Sequence, residues 1–306
     1  MFTLSNNELL IFQSLCYKHQ SVDELVTASG LSSKTVYRLT SSLTSKGLIV
    51  RLTRGKGFLP AASLHGVALR NYAISNQHSL DAISGSRLLI LLSLIQSPKG
   101  MNRIALETRL RQETVRTLSW RLRRIGVVSH AINGALQVSP TDTAIVRFLT
   151  DFSKGASIHI MQKKSKEAAM IWSGGLELIF SADAVDDHEG VERTAPSAMC
   201  DFGVPLLSAG RDYYYHAHWN PKLRPEDVAL HSILIDPGST RAAAYSILLL
   251  KKAGFDQAYL MEEAKRLGMG DVAKDMVRLL SGRGGVGPRM PTMSDLEDLY
   301  RLYGVG

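Results

Sequence analysis

Apolar side chains recur at helical spacing in three short segments between residues 6 and 47. This periodicity predicts three amphipathic helices, and capping residues bound each of them. The predicted caps are Asn6 or Asn7 for the first helix, Ser21 with Glu24 and then Gly30 for the second, and Ser32 or Ser33 and then Gly47 for the third.

The hydrophobic pattern changes its period after Gly47. An apolar run at residues 48–50 is followed by a glycine-containing turn and a second short run that ends at Leu59. Two short extended runs on either side of a glycine turn predict a β-hairpin.

The same pattern returns 79 residues further along the chain. The repeated pairs are Ile11/Ile90, Leu15/Leu94, Leu25/Ile104, Leu31/Leu110, Thr35/Thr114, Val36/Val115, Leu39/Leu118, Leu43/Leu122 and Gly47/Gly126. Repetition at this scale indicates duplication. The second copy predicts helices at residues 87–96, 102–110 and 112–125, then a hairpin at 127–138 that turns at Asn133-Gly134.

Three helices followed by a hairpin, with a short glycine-containing turn between the second and third helices, resemble the winged helix-turn-helix of the MarR and ArsR types of regulator. The resemblance covers residues 5–60 and, in the second copy, 84–139. It implies that the third helix of each copy enters the major groove of double-stranded DNA and that the hairpin is the wing. Two units on one chain could read two half-sites as a monomer. The sequence is equally compatible with a homodimer.

The outward-facing positions of the third helices are the candidate DNA contacts. In the first copy they are Ser33, Lys34, Tyr37, Arg38 and Ser41, with Arg54 and Lys56 on the wing. In the second copy they are Gln112, Arg116, Thr117, Arg121, Arg123 and Arg124. Arg116 suits a bidentate contact to guanine, and Gln112 suits adenine. Tyr37 is equally consistent with packing. Trp120 occupies a matching position of the second copy, and two interpretations stay open for it: packing in the core, which is usual for a large aromatic within a helical pattern, and, as the less favoured one, base stacking.

The basic residues are concentrated in the repeated half of the chain. The 306 residues have a formal net charge of +8. Residues 1–150 hold 18 Lys and Arg against 7 Asp and Glu, net +11, whereas residues 151–306 hold 18 against 21, net −3. Phosphate binding needs clustered cations, so this asymmetry favours DNA binding by the first half. The alternative is that the arginines of the second copy only solubilise a surface helix.

The second half divides into shorter segments. Residues 153–155 are expected to end a helix that begins near Ser139, and a basic helix at 158–172 follows. Strands are predicted at residues 176–180, 204–207 and 212–219, a short helix at 196–201, and five helices between 225 and 303, the last with a Ser294/Glu297 capping box.

The predicted fold class is therefore α+β, mainly α. Two tandem winged-helix domains are expected at residues 1–80 and 81–150, and a helical connector at 151–175. A mixed α+β domain with a helical C-terminal cap is expected at 176–306.

Candidate chemistry in the second half is sparse. His216 and His218 form an H-x-H pair on a strand, but no third metal ligand follows at a recognisable spacing. The glycine-rich segment 282–287 follows a helix and lacks the lysine of a phosphate-binding loop. We expect no enzyme activity, no metal and no cofactor, and an enzyme acting on nucleic acid or nucleotides ranks third among the hypotheses.

An aromatic run predicts a surface for a protein partner, because tyrosine and tryptophan favour interfaces. It consists of Tyr213, Tyr214, Tyr215 and Trp219. The alternative is an ordinary half-buried strand. The segment 194–199, together with the overall architecture, resembles abortive-infection antitoxin regulators, and this resemblance implies self-repression and binding of a nucleotidyltransferase toxin.

The compartment follows from what the sequence lacks. Cys16 and Cys200 are too few for a disulfide framework or a zinc finger and imply a reducing interior. The N-terminal residues lack a signal-peptide pattern, and no apolar run approaches the length of a membrane span. We expect a cytoplasmic protein with no membrane contact.

The leading hypothesis is a sequence-specific regulator of transcription that binds double-stranded DNA. Its C-terminal half would sense a small-molecule effector or a protein partner. An antitoxin-type regulator or a protein-interaction module is the alternative.

Overall fold

The computed structural model describes residues 3–52, 57–185, 189–206, 210–219, 221–284 and 287–305. Over these residues the chain is mainly helical with small β-sheets, the α+β class that the periodicity predicts. It divides into two compact units. They are Met1–Lys163 with Ser173–Glu177, and Lys164–Trp172 with Leu178–Gly306.

The first unit contains three helices and a hairpin, in an order that occurs twice. The first copy consists of α1 (Asn6–Leu15), α2 (Val22–Ser29), α3 (Ser33–Ser45), β1 (Ile49–Arg51) and β2 (Phe58–Pro60). An intervening segment, for which the sequence predicted no element, consists of α4 (Leu64–Ser75) and a 3-10 helix at Gln77–Ile83. The second copy consists of α5 (Ser86–Leu94), α6 (Met101–Thr108), α7 (Gln112–Arg124), β3 (Val128–His130) and β4 (Leu136–Val138), and α8 (Thr143–Lys164) follows.

Side-chain caps set the ends of these helices. Ser21 and Glu24 form the predicted capping box of α2, and Gly30 ends that helix in the left-handed conformation, with φ at 68°. The predicted cap of α1 at Asn6 or Asn7 is wrong, because Ser5 has that position. The Ser5 backbone N–H donates to the Glu8 carboxylate at 2.7 Å, and the Ser5 hydroxyl accepts from the Glu8 N–H.

The backbone repeats where the sequence repeats. Gly47 and Gly126 both have positive φ, 68° and 78°, at the point where the third helix of each copy leads into the hairpin. In both copies the residue after this glycine donates its N–H to the carbonyl of Leu43 or Leu122, at 3.0 Å. The sequence repeat therefore has a counterpart in backbone geometry.

Each hairpin is extended by one residue from elsewhere in its copy. Gln20 forms an isolated antiparallel bridge with Phe58, and Lys99, its counterpart in the repeat, forms one with Leu136. These bridges tie the start of the second helix of each copy to the hairpin, so the hairpin is fixed to the helical core.

The predicted helix break at residues 153–155 is wrong, because α8 runs through it without interruption. Gly155 lies against the N-terminal end of α4, where an added Cβ would be 2.3 Å from the His65 backbone nitrogen. The glycine therefore permits close packing of two helices rather than a turn. The basic helix predicted at 158–172 is also wrong in its second part, since β5 (Ala169–Gly174) occupies it.

Most of the second unit is a small sheet followed by helices. Three more strands, β6 (Glu177–Ala182), β7 (Val191–Arg193) and β8 (Asp212–Ala217), join β5 in the order β5-β6-β8-β7, and β7 is antiparallel to β8. A 3-10 helix lies at Ala195–Phe202. The helices are α9 (Pro225–Ile235), α10 (Thr240–Ala253), α11 (Gln257–Arg266), α12 (Gly270–Leu280) and α13 (Met293–Tyr303).

Two further predictions for the second unit are wrong. The described part of the segment 204–207 is not a strand. The capping box of α13 is formed by Thr292 and Asp295, not by Ser294 and Glu297, because the Thr292 hydroxyl accepts from the Asp295 N–H at 3.2 Å. The helix therefore starts one residue before Ser294.

A buried charge cluster joins α5 and α6 in the second copy. Glu107 is 1% exposed and accepts from Lys99 Nζ at 2.6 Å, Arg103 Nε at 2.7 Å and Ser93 Oγ at 2.7 Å. Burial acts to raise the pKa of Glu107, but the two cations outweigh burial, so the pKa is lowered. Glu107 is consequently an ionised carboxylate in the folded protein at neutral pH.

We predict that Gly155→Ala lowers the stability of the first unit by about 1–3 kcal/mol, because the methyl group would overlap the His65 backbone. Denaturant unfolding followed by circular dichroism measures the change. Gly100→Ala is the control, since nothing lies within 4 Å of a Cβ at that position. Equal stability of the two variants would contradict the close contact.

We predict that Glu107→Gln costs about 3–5 kcal/mol at neutral pH, because the buried Lys99 loses the carboxylate that lies 2.6 Å from its ammonium group. The folded-state pKa of Glu107 is lowered, so its contribution is complete above the unfolded pKa of about 4.3 and is lost as pH falls through the folded value. The difference from wild type should therefore shrink in acid. Unfolding free energies measured between about pH 7 and about pH 3 test this.

The control for that series is Glu113→Gln, an exposed carboxylate with no ion pair to any described residue. It should change stability little at any pH. A constant difference between wild type and Glu107→Gln across the whole range would show that the charge of Glu107 contributes nothing.

Candidate nucleic-acid interface

The candidate contacts on α3 lie on the face of that helix that points to solvent. Val36, Leu39 and Leu43 are buried, which fixes the opposite face outward. The candidates on that outer face are Ser33, Lys34, Tyr37, Arg38 and Ser41, and all five are exposed. Tyr37 is 57% exposed, so its packing alternative is wrong.

The candidate contacts on α7 are exposed in the same way. Val115 and Leu122 are buried, and Leu118 is half-buried. The exposed candidates are Gln112, Arg116, Thr117, Arg121, Arg123 and Arg124. Gln112 already donates to the Asn102 side chain at 2.9 Å, so reading a base would require it to give up that bond.

The α7 arginines have no carboxylate partner among the described residues. Arg121, Arg123 and Arg124 lie in the last turn, where the helix dipole favours cations. Helix stability alone can therefore explain these three residues. Arg116 lies in the middle of the helix, where the helix dipole gives a cation no such stabilisation. The positive charges of neighbouring arginines repel one another, and a negatively charged partner would relieve that repulsion.

Of the two interpretations of Trp120, packing in the core is wrong. Trp120 is 53% exposed, and the Arg124 guanidinium lies 4.9 Å from its ring centroid. Residue 120 is four positions from both Arg116 and Arg124, so the helical period puts it on the cationic face. The outer face of α7 therefore combines arginines with an aromatic ring, a combination that suits both phosphates and bases.

The hairpins contribute few of the predicted contacts within the described residues. Arg54 and Lys56, predicted on the first wing, lie outside the described residues, and Arg51 on β1 is exposed. On the second hairpin the His130 ring bonds to the Gly134 carbonyl at 3.0 Å, and Ile132 is fully exposed. Ile132 was not among the predicted site residues. Its position next to the Asn133-Gly134 turn could have predicted that it lies exposed at the hairpin tip.

The C-terminal end of α3 is held by side chains from α8 and α4. Lys163 Nζ donates to the Ser45 carbonyl at 2.6 Å, and His159 Nε2 donates to the same oxygen at 3.0 Å. His65 Nε2 donates to the Lys46 carbonyl at 2.9 Å. These bonds satisfy carbonyls that a helix end leaves without partners, and Lys163 complements the helix dipole.

Burial keeps the His65 imidazole neutral. Desolvation is the largest cause that lowers the pKa of His65, the neighbouring His159 lowers it further, and the Lys46 carbonyl opposes both. Because a carbonyl can only accept, the proton of the neutral ring is on Nε2. The end of α3 is therefore fixed by a neutral donor inside and a charged donor at the surface.

A second contact fixes the same end of α3 to α1. Lys46 and Glu8 form an ion pair, and the Ser42 hydroxyl donates to Glu8 at 2.7 Å. Burial acts to raise the pKa of Glu8, but the Lys46 and Ser42 side chains and the Ser5 backbone outweigh it, so the pKa is lowered. The orientation of α3 is therefore set from two sides.

The aromatic strand of the second unit is mostly internal. Tyr214 is 5% exposed and its ring stacks on Phe180 at 5.5 Å, and Tyr215 is 3% exposed with its ring 4.7 Å from that of His231. These two residues lack the surface that the predicted partner contact needs, so the alternative of an ordinary strand applies to them. Tyr213 and Trp219 are half-buried.

Two described histidines of the second unit form hydrogen bonds within that unit. His216 Nδ1 bonds to the Gly190 carbonyl at 2.7 Å, and His231 bonds to the Thr194 hydroxyl at 2.7 Å. Burial lowers the pKa of His231 to about 3, so this ring is neutral. Among the described residues there is no group of three or more His, Cys, Asp and Glu side chains that could hold a metal ion.

Comparison with family models gives a match in the second unit. A family model described as HVO_2833_C, C-terminal, matches residues 188–305, less than half of the chain. No curated protein and no solved structure matches the chain significantly. No helix within the described residues is both long and apolar enough to span a bilayer.

We predict that Lys163→Met speeds amide exchange in the last turn of α3. Removing a cation from a helix C-terminus costs about 0.3–1 kcal/mol, which corresponds to exchange about two to five times faster. Hydrogen exchange measured by NMR resolves the individual amides. Lys154→Met, on an exposed position of the same helix, is the matched control, and identical exchange in the two variants would contradict the capping role.

Proposed function

We propose that this chain is a sequence-specific regulator of transcription that binds double-stranded DNA through two tandem winged-helix units. The observation that carries the proposal is the pair of exposed third helices, each with cations that no described carboxylate neutralises. In this proposal α3 and α7 enter the major groove, and the β1–β2 and β3–β4 hairpins are the wings.

The element order supports the winged-helix assignment. Each copy has three helices, a hairpin after the third helix, and a bridge from the start of the second helix to the hairpin. The three helices and the hairpin are the arrangement that the resemblance to MarR and ArsR regulators implies, and the bridge is an additional observation. The sequence repeat and the element order both support the proposal.

The electrostatics support nucleic acid as the partner. Cations that neutralise phosphates release the counterions of the duplex, so an unpaired cationic face gains free energy from DNA that it cannot gain from its own chain. Arg116 is the candidate for base recognition, since it lies in the middle of the exposed face, and Arg123 and Arg124 are candidates for phosphate contacts.

A protein-interaction function is the second candidate, and one observation favours it. Trp120 and Ile125 are 53% and 56% exposed and lie at the C-terminal end of α7. Large apolar side chains of this kind are typical of interface hot spots. The two candidates differ in what they require, because DNA binding depends on the arginines whereas protein docking would depend on Trp120 and Ile125.

We predict that the protein binds duplex DNA with a steep dependence on salt. Fluorescence anisotropy with a duplex selected from a random library measures affinity over a series of NaCl concentrations. Replacing Arg121, Arg123 and Arg124 together by Gln should lower the slope of log affinity against log salt by about 0.9 for each phosphate that is no longer neutralised. Arg116→Gln should instead weaken selected duplexes more than random ones, reducing the discrimination between them by about 1–3 kcal/mol.

Arg147→Gln is the control, because Arg147 is exposed in the same unit but belongs to α8 rather than to a third helix. It should leave the affinity and its salt dependence unchanged. Absence of duplex binding at low salt would rule out the proposed function, and an equal loss in Arg147→Gln would attribute the binding to net charge alone.

A further inference from the structure

The second unit contains a cavity of about 760 Å³, which is within the range of sites that bind small organic molecules. It lies among the end of β6, the 3-10 helix at Ala195–Phe202, the start of β8, the end of α9 and the first turns of α10. All of its lining residues belong to the second unit. None of its lining residues belongs to the candidate nucleic-acid interface.

The inner wall of the cavity is apolar and aromatic. Met199 is buried, and Ile235, Tyr213 and Tyr245 are half-buried with surface turned to the cavity. Two tyrosine rings and a methionine provide polarisable surfaces on which an apolar or aromatic ring can pack. An occupant of this wall gains free energy by leaving water.

The charged residues of the lining are exposed and do not all neutralise one another. Arg211 Nε donates to the Asp183 carboxylate at 2.9 Å, so that pair contributes little net charge. Arg241 has no carboxylate partner among the described residues, and its guanidinium carbon lies 5.6 Å from the Tyr245 ring centroid. Arg241 also lies in the first turn of α10, where the helix dipole adds positive potential.

Asp236 is the remaining charged residue of the lining and is exposed. It has no ion pair within the described residues and could accept a hydrogen bond from a ligand. The cavity thus combines an apolar wall with one unpaired cation that is already oriented over a ring.

We propose that this cavity binds a small amphipathic acid, with its ring against Tyr213, Tyr245 and Met199 and its anionic group on Arg241. As an effector site the inference rests on the proposed function, because an effector needs a regulator to act on. The binding event does not depend on DNA, so it is tested without DNA.

The probe is 8-anilino-1-naphthalenesulfonate, an aromatic sulfonate whose fluorescence rises in apolar surroundings, titrated into the full-length protein. The expected result is one site per chain. N-phenyl-1-naphthylamine, which lacks the sulfonate, serves as the uncharged comparison. Arg241→Gln should weaken the sulfonate about tenfold, the lower end of the range for a charged hydrogen bond, and leave the uncharged probe unchanged.

Two further variants complete the test. Ala242→Phe places a ring at a lining position and should abolish binding of both probes, with circular dichroism as the check on folding. Lys251→Gln removes an exposed cation from α10 at a position outside the lining and should change neither affinity. If Ala242→Phe fails to fold, the comparison of Arg241→Gln with Lys251→Gln still tests whether Arg241 binds the sulfonate.

Several results would overturn the proposal. They are no saturable binding by the wild-type protein, sulfonate binding unchanged in Arg241→Gln, or equal losses in Arg241→Gln and Lys251→Gln. Duplex binding is measured in a different experiment with variants of the first unit. Failure of the DNA-binding proposal would therefore leave the result of this titration unaffected.

Discussion

Burial of one apolar stripe on each third helix determines which side chains of α3 and α7 remain for a partner. Val36 and Leu43 in the first copy, and Val115 and Leu122 in the second, are 0% exposed. A helix that buries one stripe must present the residues about half a turn away to solvent. The cationic faces are therefore a consequence of core packing, and changes in that core would reorient them.

The two copies of the repeat form different side-chain interactions at equivalent positions. In the first copy Ser14 and Gln20 are joined by neutral hydrogen bonds of 3.0 and 3.2 Å. The residues 79 positions later are Ser93 and Lys99, and both donate to the buried Glu107. An ion cluster thus replaces a neutral pair at an equivalent place, and its stability depends on every partner being present.

Local signals made most of the helices and the two hairpins predictable. The Ser21/Glu24 capping box, Gly30 and the Asn133-Gly134 turn act within a few residues, so the sequence alone contains the information. Gly155 shows the limit, since its local meaning is a break and its actual neighbour, His65, is 90 residues away. Trp120 stayed ambiguous because large aromatics within a helix are usually buried, whereas the helical period of its own segment places it on the exposed face, where the structure has it.

The interface and the cavity were predictable to different degrees. Surface positions on an amphipathic helix follow from periodicity, whereas a cavity requires several elements distant in sequence to meet. The same limit applies to the α3 terminus, whose carbonyls are bonded by residues 159 and 163 of α8. Lys163 is also the last residue of the first unit before the chain enters the second unit at residue 164. The α3 cap therefore comes from the residue next to this unit boundary.

The small free energy of these capping bonds limits how strongly their loss could change the affinity of α3 for a partner. A ligand shifts an equilibrium only by its differential affinity for the two states. A charged cap at a helix terminus is worth about 0.3–1 kcal/mol, so removal of the Lys163 cap alone would change the affinity of α3 for a partner by at most about fivefold. Stronger regulation through this helix end would require His65 or the Glu8–Lys46 pair to change as well, because those groups fix the same turn.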